Sequence, residues 1–188
     1  LIMFFEFMDT LRNEDGLTLI ELMVYGVLLL VILSGAYMMY DASANIYITA
    51  NGQAEAQGKG RIAQTSLAKH LRMTESFQQA GDYAVNLRAD INDDNLWDKI
   101  EYYAVNDALY RRINDGTPIV IMKGLRNEAL SMPIFNYFDM NGASLSTDTA
   151  SRITKTHKVE IRLIIDADPN RPPEPYVLQT RVALRNKE

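Results

Sequence analysis

Gly16-Leu17-Thr18-Leu19-Ile20-Glu21-Leu22-Met23 opens the stretch that decides how this chain is built. A single carboxylate, Glu21, heads an apolar run that continues unbroken from Leu22 to Leu33. Between Leu17 and Tyr40 it is the only ionisable side chain apart from tyrosines. As a helix rising about 1.5 Å per residue, these 24 residues cover roughly 36 Å, enough to cross a ~30 Å hydrocarbon layer. Apolar side chains fall on every side of that helix, as on a lipid-exposed span. A carboxylate at the edge of such a span is costly to desolvate and is normally retained for a function.

A buried core helix and a cleaved secretory signal are the two competing readings. The length of the run and its place near the N-terminus argue against the first. A secretory signal needs a basic n-region and a small-residue cleavage site after the apolar run. Here Leu1–Asp15 carries Glu6, Asp9, Glu14 and Asp15 against one base, Arg12, and no Ala-x-Ala follows Leu33. No Lys or Arg then occurs until Lys59, so Arg12 gives a weak positive-inside signal.

Composition narrows the function classes. The 188 residues suffice for one ordinary domain plus an appended helix. The formal charge of −5 and the lack of any basic block exclude a phosphate-tracking surface, so no nucleic acid is expected as a partner. With no cysteine, disulfides, thiolate nucleophiles and Cys-based metal sites are excluded.

The string Gly16–Met23 resembles the cleavage and methylation signal of type IV prepilins and type II secretion pseudopilins. The resemblance implies a leader at residues 1–16, cleavage between Gly16 and Leu17, and methylation of the new Leu17 amine. Prepilin leaders are usually basic, and the residue after the glycine is usually Phe or Met; this chain departs in both. Glu21 then becomes the fifth residue of the mature chain. By the same resemblance, its carboxylate neutralises the N-terminal amine of a neighbouring subunit and sets the axial register. Opposite charges attract strongly in low dielectric, and each offsets the desolvation of the other.

Beyond Tyr40 the sequence turns amphipathic. Ile46, Ala50, Ala54, Ile62, Ala63, Leu67 and Leu71 recur at near-helical spacing, extending one helix from about Leu17 to Met73. Gly52, Gly58 and Gly60 each cost about 1 kcal/mol of helix propensity and read as a weak segment able to bend or locally melt when subunits pack. From Tyr83 the signals are those of strands. Lys99–Val105 and Ala108–Ile113 flank an Asn106-Asp107 hairpin turn, and Asn114–Pro118 forms a second turn before Ile119–Met122. Further strands are predicted at Ser131–Phe138, Lys158–Ile165 and Tyr176–Arg185, the last two joined by the Pro169–Pro175 loop. In Lys158–Ile165, Val159, Ile161 and Leu163 alternate with polar residues, predicting one wet face.

The expected fold is α+β: a long N-terminal helix, half membrane-spanning and half amphipathic, packed on a C-terminal antiparallel β-sheet domain. The boundaries are 17–40 for the spanning helix, 41–75 for its extension and 76–188 for the β-rich head. Ile100–Tyr103, Ala108–Arg112, Asn136–Gly142 and Val182–Asn186 resemble, in that order, the J-type minor pseudopilins of type II secretion and the PilW-like minor pilins. The resemblance implies a non-enzymatic subunit that helps initiate a type IV filament. Its partners would be other minor and major pilins or pseudopilins, prepilin peptidase, the inner-membrane assembly platform and membrane lipid. The chain would cross the inner membrane once, with its N-terminus cytoplasmic and its head outside. The alternative is a single-pass anchored binding or sensing domain with no filament role.

Other candidate sites are weaker. His70 and His157 lack any paired-ligand spacing, so zinc is not expected. No nucleophile motif or phosphate-binding loop occurs. Asp90, Asp93, Asp94 and Asp98, and separately Asp139 with Asn141, supply oxygen donors for calcium, but neither set has EF-hand spacing. The alternative is that these are solvated loop acids, with Asp139–Gly142 a turn, and no cofactor is expected. Tyr102, Tyr103 and Tyr110 read as cross-strand packing partners in preference to a recognition surface.

Overall fold

The computed structural model describes residues 18–185. The chain divides into two compact units, Leu1–Ile46 and Tyr47–Glu188. Helix α1 (Leu19–Arg72) belongs to both.

In the first unit every described residue except the partly covered Ala44 is exposed. The large apolar side chains from Leu19 to Leu33 are all more than half exposed, Leu29 at 56% and Leu19 at 80%. Among the described residues nothing covers this surface. The polar groups embedded in it are instead satisfied on the helix itself. Ser34 Oγ donates to Leu30 O at 2.5 Å, and Asn45 Nδ2 donates to Asp41 O at 3.0 Å.

In the second unit α1 lays one stripe on an antiparallel β domain, so the α+β architecture is as expected. A five-stranded sheet runs in order β1 (Thr74–Ala80), β2 (Ala84–Ala89), β3 (Asp98–Val105), β4 (Ala108–Ile113) and β5 (Ile119–Lys123). A three-stranded sheet follows, of β6 (Phe135–Phe138), β7 (Lys158–Ile165) and β8 (Tyr176–Ala183), with a short helix α2 (Thr149–Lys155) between β6 and β7. Beyond β5, Gly124–Arg126 pairs with the end of β7, through Arg126 N to Ile164 O at 2.8 Å and Asp166 N to Gly124 O at 2.8 Å. The core collects Leu67 and Leu71 of α1 with Leu87, Ile100, Tyr102, Ile161 and Leu163, none more than 2% exposed.

Several sequence expectations need correction. The buried stripe is Gln53, Ala56, Gly60, Ala63, Leu67 and Leu71. Ala50 and Ala54 are exposed, and Ile46 and Ile62 are 70% and 72% exposed, so only the last turns of the expected stripe are correctly phased. Helix α1 is continuous through Gly52, Gly58 and Gly60. Gly60 lies against the sheet, beneath Ile165 and Leu178.

Residues 74–75, assigned to the helical extension, already belong to β1. Its buried positions, Thr74, Phe77 and Ala80, fall every third residue because the register shifts twice against β2. The alternation that betrays a strand is therefore absent from the sequence. The strand expected from Ser131 starts only at Phe135. Ser131 has φ of +53°, and Asn127 Nδ2 donates to Arg162 O at 2.9 Å, holding this segment as a loop. Strand β8 ends at Ala183, two residues short of the expected boundary.

The wet face of β7 is covered. Glu160 is 6% exposed and Ile164 5%. The Glu160 carboxylate is held by Arg181 Nη2 at 3.0 Å and Arg162 Nη2 at 3.4 Å. Burial pushes its pKa up, but the bonds from Gln179 and Arg181 and the nearby positive charges outweigh it and hold it below the usual carboxylate range.

Candidate assembly site

Gly16 and Leu17 lie outside the described residues. Immediately after them, Thr18 and Glu21 build the start of α1 by a reciprocal cap. Thr18 N and Thr18 Oγ1 donate to Glu21 Oε2 at 2.9 and 2.8 Å, and Glu21 N donates to Thr18 Oγ1 at 3.3 Å. The Thr-x-x-Glu signature was present in the sequence, and Thr18 was missed as a member of the site. The cap holds Glu21 in the first helical turn, where the helix dipole favours negative charge. A carboxylate with two local donors costs less at a membrane edge than a bare one.

Several of the acidic residues proposed as oxygen donors have one oxygen occupied locally, whereas Asp90 Oδ1 and Asp98 Oδ2 are buried without a partner among the described residues. Asp90 Oδ2 accepts from Asn95 N at 2.9 Å, and Asp94 Oδ1 from Leu96 N at 2.8 Å. Asp98 Oδ1 accepts from Asn114 Nδ2 at 2.6 Å, while Asp93 adopts φ of +59°. Asp139 Oδ1 accepts from Ala143 N at 2.8 Å, and Gly142, at φ of +84°, closes the turn that also holds Asn141. Among the described residues no three carboxylates or imidazoles converge as a metal-binding group.

His70 and His157 are separate. His157 Nδ1 bonds Lys155 O at 2.9 Å on the surface. His70 is 7% exposed, and its Nδ1 lies 2.8 Å from Tyr102 Oη, which is also 3.2 Å from Ser66 Oγ. The three side chains are satisfied together by a neutral imidazole. Burial, followed by the positive charges of Arg111 and Lys69, pushes the His70 pKa down to about 4. Burial pushes Tyr102 up. Tyr103 and Tyr110 are direct cross-strand partners with ring centroids 5.4 Å apart, as expected of packing residues. His70, Ser66 and Tyr102 thus tie α1 to the sheet, and Tyr103 with Tyr110 ties one strand to the next.

No protein-family model matches the chain, and no curated protein matches it.

Proposed function

We propose that this chain is a minor pilin or pseudopilin subunit of a type IV filament machine. The carrying observation is Glu21, capped by Thr18 at the head of an apolar helix whose large side chains from Leu19 to Leu33 are more than half exposed among the described residues. An apolar surface that large needs lipid or other apolar helices around it. A filament of such helices supplies the second environment when the membrane no longer supplies the first. Glu21 would then pair with the amine created at Leu17 of a neighbouring subunit, exchanging a local hydrogen bond for an ion pair in low dielectric. The long helix leading into an antiparallel β domain is compatible with that reading. The span would be oriented with its N-terminus cytoplasmic.

The deciding experiment is intact-mass and N-terminal analysis after co-expression with a prepilin peptidase. A product beginning at Leu17, with or without one methyl group, is the expected result. A product retaining Gly16 under active peptidase would leave only a single-pass anchored domain.

A further inference from the structure

The β domain ends in strands that are protected very unequally. Strand β1 is interrupted by two register shifts and packs against α2. Strand β5 has five residues, an irregular register and Lys123 at its end. Strand β6 has only four residues. Strand β8 is eight residues long, pairs with β7 in unbroken register from Tyr176 to Ala183, and contains neither proline nor lysine. Unprotected regular edges are templates for another strand, and proteins normally blunt them.

The bonding phase shows which groups are open. Leu184 N donates to His157 O at 2.9 Å, so the even-numbered residues of β8 bond β7. Val177, Gln179, Arg181 and Ala183 therefore turn their N–H and C=O groups away from β7, and all four are exposed. Among the described residues, the only backbone bond on that side is Arg185 N to Arg72 O at 3.3 Å, beyond the strand end.

Beside this edge, α1 and Thr180 line a trough of about 510 Å³. Its helix wall carries Lys69 and Arg72, neither with a carboxylate within 4.0 Å among the described residues. Gln64 Nε2, also in that wall, is a buried donor with no partner. Arg61 extends the same flank, with Nη2 3.2 Å from Tyr176 Oη. A chain of net charge −5 has thus placed cations and an unused donor, and no carboxylate, in the wall of the trough.

We propose that the outer edge of β8 receives an extended, acidic segment of a partner protein as an added strand. Main-chain bonds to Val177, Gln179, Arg181 and Ala183 supply affinity. Carboxylates reaching Lys69 and Arg72 supply selectivity. The inference concerns the β domain alone and stands independently of the filament reading.

The test uses the full chain in detergent micelles, with a synthetic peptide of alternating Glu and Val and a Lys-for-Glu counterpart as probes. Amide exchange read by NMR should slow at least tenfold at residues 177, 179, 181 and 183 with the Glu peptide. Binding should weaken at least tenfold with the Lys peptide and in the Lys69→Glu, Arg72→Glu double variant. Gln179→Pro should abolish binding and Gln179→Ala preserve it, because that N–H lies outside the β7 ladder. The charge-reversed variant leaves the backbone untouched and decides the question even if the proline variant misfolds. Equal binding of both peptides, unslowed amides, or protection that appears with protein concentration alone (pairing of two copies) would each overturn the proposal.

Discussion

Gly58 and Gly60 sit two residues apart in one helix, yet alanine should act oppositely at the two. At Gly58 a methyl group would meet nothing within 4 Å, so Gly58→Ala gains the full difference in helix propensity, about 1 kcal/mol. At Gly60 the same methyl would collide with Ile165 Cδ1 and lie 3.2 Å from Leu178 Cδ1. Both neighbours are buried, so relief requires repacking of the helix–sheet contact. Overpacking of this kind costs about 1–3 kcal/mol, which cancels or reverses the propensity gain. The two variants should therefore differ by about 1–3 kcal/mol, or roughly 4 °C of melting temperature per kcal/mol in a domain of this size. Ile165→Val removes the colliding atom and by itself costs about 1 kcal/mol. Combined with Gly60→Ala it should recover most of the loss, a favourable coupling of about 1–2 kcal/mol. Thermal or urea melts of the full chain in detergent, followed by near-ultraviolet circular dichroism, measure all four species. If Gly60→Ala stabilises as much as Gly58→Ala, or if the double variant is additive, the glycine is not the contact point the structure assigns.

Under the proposed filament role, Glu21→Ala should impair assembly while membrane insertion and the melting of the β domain stay unchanged, read by fractionation of sheared filaments and membranes. Thr18→Ala should remove the cap, about 1 kcal/mol of local helix stability, and show as faster amide exchange in the first turn of α1. The pH dependence follows from His70, whose pKa of about 4 lies below its unfolded value near 6.5, so the unfolded chain binds more protons between these pH values. Stability should be complete above about pH 6.5 and decline by about 3 kcal/mol on acidification toward pH 4, against Arg111 and Lys69 as neighbouring charges; His70→Gln should flatten that slope in urea melts. Arg152→Ala should cost about 3 kcal/mol in the same melts. It removes the partner of Asp82 Oδ1 at 2.7 Å and the cation 4.9 Å above the Tyr137 ring.

Where periodicity was intact, the sequence was sufficient. The β3–β4 hairpin appears as read: Asn106, at φ of +56°, makes its turn, and Tyr103 stacks on Tyr110 across the strands. Strand β7 begins and ends at the predicted residues. Failures came where tertiary contacts overrode local pattern. Glu160 reads as a solvent-facing residue until Arg181, twenty-one positions later, folds over it. Helix α2 is only seven residues, held by the Asp148 cap and by Arg152 reaching back to Asp82, so no amphipathic period could announce it. Gly60 shows the limit most sharply. Propensity assigns it a cost, whereas its value lies in letting Ile165 and Leu178 approach the helix axis.

Glu21, though not its partner Thr18, was legible for a different reason. Glu21 is conspicuous because nothing else in its stretch carries charge, and its cap is purely local, spanning three residues. Sites built from sequence neighbours survive translation into one dimension; sites built across sheets do not. The β8 edge belongs to the second kind. Its strand alternates and reads as ordinary, but two facts give it meaning, and both are spatial. The groups of Val177, Gln179, Arg181 and Ala183 point outward only because β7 takes the even residues, and Lys69 and Arg72 flank them only because α1 runs alongside. A helix long and apolar enough to cross a membrane and a sheet edge with outward-facing backbone groups impose separate requirements. A variant such as Gln179→Pro, which acts on the edge and leaves Glu21 and its helix intact, separates the proposed role of one from the proposed role of the other.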